Sequence, residues 1–349
     1  MSTSLTSVNR SVYLDNLAGL LIIHMIYTCH LAAFCQMKDS KMLFVIIGNI
    51  FCFFMPWFFF KSGMFYRGKS LRRVLHDNVK RLFVPYVVFN VVGVLVGIFL
   101  SCYVGYSGSF LVLIGRPIFE IFKDEATSSN LALWFLMSLA IARILFSILY
   151  GRFHIHPIII CLVFLVLACC LNYYNYQMKP NSFMLVIGGR QLFLRIPCYI
   201  GNMCYGMFFY CLGFLLREKQ YNNYLFAISV IIYIFHFVFV SRIDFRSNES
   251  SANYPLAVLY SVTGIICFNN IFKSKLNVKI PILTYVGKQS MVYYVTHYAF
   301  FALVFGLIGK NSGVNNWLLY FVGFFLVTLF LFVIDKIFRK EKLKWMVGN

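Results

Sequence analysis

Apolar residues gather into ten long runs, near 14–34, 42–61, 83–104, 131–150, 155–173, 196–216, 223–241, 254–272, 282–308 and 316–335. A helix needs about 20 apolar residues to cross a hydrocarbon layer. Runs of this length with few charges therefore predict membrane-spanning helices and not the core of a soluble domain. An even number of crossings returns the chain to the side on which it began. Between the third and fourth runs, residues 110–122 are apolar but broken by Arg116, Pro117 and Glu120. This pattern predicts a re-entrant or interfacial segment over 105–130 and not an eleventh span. The connection 174–194 is long and polar enough for a small external loop. No repeat, low-complexity tract or linker divides the chain, so residues 1–349 read as one all-α integral membrane domain.

Composition agrees. Of the 349 residues, 61% are apolar and 12% charged, less polar surface than a soluble domain of this size requires. The net charge of +20 would suit nucleic acid, but the basic residues sit in short connections and form no single aromatic-interleaved patch, so nucleic acid is not expected as a partner. They are topology signals. The tails and one alternate set of connections hold 19 Lys and Arg, seven of them between Lys61 and Arg81, against 10 in the other set. The richer set belongs in the cytoplasm, and both termini with it. The eleven cysteines show no paired spacing and no CxxC, which leaves no metal site to expect and makes most of them small hydrophobes. No small-residue cleavage site follows the polar start, so a removed signal peptide is not expected.

Ionisable groups within a bilayer cost roughly 2.5 kcal/mol or more unless they face a protected interior. Here they are Asp15, His24 and His30 in the first run, Arg143 in the fourth, His236 in the seventh, and Lys288 and His297 in the ninth. On an unbroken α-helix Asp15 and His30 lie about 22 Å apart along one stripe, with Asp15 at the cytoplasmic end and His30 in the outer third. A neutral imidazole at His30 can take a proton from a hydroxyl as a general base, or it can hydrogen-bond a neighbouring helix. His24, about 120° away around the helix, reads as packing. Ser290, Tyr294 and His297 share one face, which lines either a polar cavity or a tight helix interface. The basic stretch from Lys61 to Arg81 suits anionic lipid headgroups, or a phosphorylated donor held by arginine forks.

Five segments, in order, resemble the membrane-bound acyltransferase-3 family, which includes bacterial surface-polysaccharide O-acetyltransferases. They are Tyr13-Leu14-Asp15 running to Cys29-His30, the aromatic Phe54-Met55-Pro56-Trp57 ending in Ser62-Gly63, Arg81-Leu82-Phe83-Val84-Pro85-Tyr86, Leu133-Trp134-Phe135-Leu136, and Gly287-Lys288-Gln289-Ser290 through Tyr294 to His297. The resemblance implies transfer of an acyl group, usually acetyl from acetyl-CoA, to a hydroxyl of a surface or lipid-linked glycan at the bacterial inner membrane. In that scheme His30 would deprotonate the acceptor, and Asp15 would fix the cytoplasmic end of its helix. Arg72, Arg73 and Arg81 would hold the donor's phosphates, while Trp134, Ser290 and His297 would shape the cavity. The chain departs from the family pattern at Ala18, where a basic residue is usual, and at His30, one position later than the pattern expects; Arg72, Arg73 or Arg143 could supply the missing cation. A carrier or flippase for a glycan or small solute is the competing reading, although no paired half-sequences of the transporter kind are present.

Overall fold

The computed structural model describes residues 11–348, apart from 39, 107, 179–183, 188–189, 194–197, 237–253 and 309–314. Among the described residues, nine helices are long and apolar enough to cross a membrane. They are the first (Val12–Phe34), second (Met42–Met64), third (Leu71–Tyr103), fourth (Ser128–Arg152), fifth (Pro157–Asn175), sixth (Tyr199–Leu216), eighth (Tyr254–Lys275), ninth (Ser290–Ile308) and tenth (Asn316–Phe338). The seventh expected span appears as a shorter helix, Asn223–His236, and its expected remainder, 237–241, lies outside the described residues, as does the side chain of His236. The ninth run is split: Pro281–Lys288 forms a separate short helix that breaks at Gln289. The chain is therefore an all-α membrane bundle, with one short hairpin, Met184–Ile187 against Arg190–Phe193, in the long connection after the fifth helix.

Lipid-facing positions follow helical spacing. Val91, Leu95 and Phe99 on the third helix and Phe325, Leu329 and Phe332 on the tenth are all more than half exposed, as an apolar face turned to hydrocarbon should be. Inside, close approach depends on small residues. Gly19 of the first helix lies against the Leu283 carbonyl, and Gly287 lies against that of Asp15, so each helix of this pair gives way to the other's backbone. Gly63 and Gly213 repeat the arrangement against Tyr210 and Phe60, joining the second and sixth helices.

The segments assigned to the cytoplasm by charge meet at one end of the bundle. Tyr13 and Tyr221 share a hydroxyl–hydroxyl bond of 2.5 Å. Asn16 Nδ2 donates to the carbonyls of Leu276 at 2.9 Å and Val278 at 2.8 Å. Gly348 of the tail rests on the Arg81 backbone. At the far end the apolar helix Phe110–Asp124 turns back beside the third helix. Thr127 then lies opposite Asn90, its backbone N–H donating to the side-chain Oδ1 of Asn90 at 3.2 Å. Asn90 lies about 20 Å along the third helix from Tyr103, so the segment dips into the bundle and does not lie flat on its surface. The 3-10 turn Ser128–Leu133 at the foot of the dip opens the fourth helix, which continues as α-helix from Trp134.

Candidate active site

The first helix does not stay α-helical. From His24 to Leu31 it is a π-helix, in which each amide reaches one residue further back and the turn accommodates an additional residue. His24 and His30 therefore part company. His24 is buried between the rings of Phe51 and Phe54, at 4.9 and 5.4 Å, with Nε2 3.3 Å from Cys29 Sγ; this is the packing role expected for it. His30 is half-buried and turns to the ninth helix, where its Nδ1 is 2.7 Å from Nε2 of the fully buried His297. The rings stack at 5.0 Å, and Tyr298 meets His30 edge-on.

Hydrogen-bond donors and acceptors fix the tautomers. His297 Nδ1 lies 2.8 Å from the Tyr293 carbonyl oxygen, which can only accept, so Nδ1 carries the proton and Nε2 is the acceptor. His30 must then donate from Nδ1, which puts the basic lone pair of its neutral ring on Nε2. The two readings open for His30 are thus compatible: one nitrogen bonds the neighbouring helix, and the other has the electronic form of a base.

Tyr294 shares a side of the ninth helix with His297, the ring centroids being 6.4 Å apart, and its hydroxyl donates to the Ala132 carbonyl. Trp134, two residues on from Ala132, is buried against Phe59 and Phe135, and Phe135 contacts Tyr294. Trp134 and His297 therefore belong to one wall. Ser290 does not join them; it opens the ninth helix, about 10 Å toward the cytoplasmic end from His297. Asp15 is buried at the same end, where the first helix packs on Pro281–Lys288. Asp15 thus meets Pro281–Lys288 and His30 meets the ninth helix, and the length of the first helix separates them.

At the start of the ninth helix is a cleft of about 410 Å³, lined by His76, Asp77, Lys80, Arg81, Met291, Val347 and Gly348. Of the three arginines expected to hold the donor, Arg81 lines this cleft. Arg72 and Arg73 do not; they stand exposed more than two turns earlier on the same helix. Asp77 is salt-bridged to Lys69 at 2.5 Å and lies within electrostatic range of Arg81 and Arg143, so the local balance is cationic. Arg143 also lies within electrostatic range of Tyr210.

Residues 11–336 match the acyltransferase-3 family, described as an acyltransferase domain. The chain belongs to that family. No curated protein and no solved structure gives a match. Membership makes this integral membrane protein an acyltransferase and gives the two departures from the acyltransferase-3 pattern a physical setting. Ala18 is wholly buried next to the Gly19 contact, and of the alternatives Arg143 lies within electrostatic range of Asp77 in the cleft. The late position of His30 coincides with the π-helix, whose wider turn takes up one extra residue while the helix continues. Neither the π-turn nor the buried Glu125 was found in the sequence. The only trace of Glu125 was an acidic residue closing an apolar helix just ahead of the polar run Thr127 to Asn130.

Proposed function

We propose that this acyltransferase moves an acetyl group from acetyl-CoA to a hydroxyl of a cell-surface or lipid-linked glycan, with His30 as general base, in the bacterial cytoplasmic membrane. The hydrogen-bond relay from the Tyr293 carbonyl through His297 to His30 carries the reading, because it prepares one imidazole nitrogen to accept a proton. Acetyl-CoA binds from the cytoplasm, its phosphates against Lys80 and Arg81 in the cleft. His297 lies six residues beyond Met291, about 9 Å along the helix, within reach of an extended pantetheine arm. The acceptor oxygen attacks the thioester carbonyl while Nε2 of His30 takes its proton. The carbon–sulfur bond breaks, and the CoA thiolate recovers that proton from the imidazolium. Trp134 and Tyr294 close the wall beside the reacting groups, and Asp15 holds the cytoplasmic end of the helix that carries the base.

Purified protein in detergent tests this reading when given acetyl-CoA and glycan stripped from the envelope of the source cells. Free CoA should appear only when both are present, with acetyl recovered on the glycan. Solute movement in vesicles without thioester consumption would replace the reading with the carrier.

A further inference from the structure

The dip between the third and fourth helices holds a carboxyl group that the acyl-transfer scheme does not use. Glu125 is 3% exposed and takes a φ of +62°, a left-handed conformation that residues with a β-carbon adopt at a cost and that tends to persist at functional positions. Its two oxygens accept from Ser138 Oγ at 2.9 Å and from Asn202 Nδ2 at 2.8 Å. That second bond fixes the Asn202 amide, so Oδ1 is the atom left over. Asn130 is fixed in the same way, Nδ2 donating to the carbonyls of Phe89 at 3.3 Å and Val295 at 3.1 Å. Among the described residues, Asn202 Oδ1, Asn130 Oδ1 and Thr127 Oγ1 are buried with no hydrogen-bond partner. Thr127 and Asn130 both press on Gly93 of the third helix, so their side chains occupy one neighbourhood.

These atoms have a common character. The amide oxygens can only accept, and the threonine hydroxyl can accept as well. Buried polar atoms are almost always paired, and a group of spare acceptors beside a carboxyl group is not an apolar packing solution. It calls for a ligand that brings several donors. The dip also leads to the histidine pair: Ala132 accepts from Tyr294, Tyr294 adjoins His297, and His297 bonds His30.

We propose that Glu125, Thr127, Asn130 and Asn202 form a saccharide-hydroxyl subsite that holds the acceptor beside His30. The saccharide class rests on the acyl-transfer reading, so binding is measured without turnover. Full-length His30→Ala protein in detergent is titrated with the methyl glycosides of glucose, galactose, mannose and N-acetylglucosamine, and the thermal unfolding midpoint is followed. At least one glycoside should raise the midpoint saturably. Glu125→Gln and Asn130→Ala, each placed in the same background, should weaken that response about tenfold or more in concentration, while stabilisation by acetyl-CoA, which reports an intact fold, stays unchanged. The subsite is overturned if none of the four glycosides binds, or if both variants bind as tightly as their parent. Glycoside binding that depends on Glu125, in a wild-type protein that releases no CoA, would sink the acyl-transfer reading and leave the subsite standing.

Discussion

With its Nδ1 proton committed to the Tyr293 carbonyl, His297 has one remaining use, which is to accept from His30. Its removal should release the His30 tautomer without touching the donor cleft. His297→Ala is expected to lower kcat roughly tenfold or more with the KM for acetyl-CoA held within about twofold, and His297→Gln, whose side-chain oxygen can accept from His30, should recover part of the loss; steady-state kinetics separates these outcomes. In the cleft, Arg81→Glu should raise the acetyl-CoA KM by about tenfold or more, since a charge-assisted phosphate bond becomes a repulsion, and should leave kcat nearly intact. Both histidines were legible in the sequence, because an imidazole in an apolar run is conspicuous. Their pairing was not, since residues 267 positions apart leave no joint spacing signal. Arg81 was legible through its basic neighbourhood, but helix phase, which sends Arg72 and Arg73 outward, depends on how the third helix packs.

Helix pairs in lipid gain nothing from excluding water and depend on close backbone contact, which is what the Gly19–Leu283 and Gly287–Asp15 exchanges provide. Gly287→Leu should force the first helix and the short helix Pro281–Lys288 apart and lower stability by about 1–3 kcal/mol, as overpacking does. Gly115→Ala, where an added carbon meets open space, should leave the unfolding midpoint in detergent unchanged or slightly higher. Spans of about the right length were legible because lipid imposes one apolar length on each of them. The π-turn at His24–Leu31, the break at Gln289 and the depth of the dip at Glu125 were not. An amide reaching back five residues and one reaching back four draw on the same amino acids, and a dipping helix keeps the same apolar faces as one lying on the surface.

The whole bundle is polarised by charge, with the basic tails and connections gathered at the end that holds the cleft, and this arrangement predicts its orientation in the membrane. Lys342→Cys, in the exposed tail, should react with an impermeant thiol reagent only after cells are opened. Ser109→Cys, in a Cys102→Ala background, should react in intact cells; the reverse pattern would invert the topology. On the proposed function, such polarity would let a thioester enter at the basic end while the acceptor approaches from the dip, with His30 between them. The most direct test of that arrangement is the rate of CoA release from acetyl-CoA, in the presence of envelope glycan, by purified wild-type and His30→Ala proteins inserted to the same level. A fall of about a hundredfold or more, with acetyl-CoA still stabilising the variant as it does the parent, is the predicted result. Equal rates from the two proteins would contradict the role given to His30.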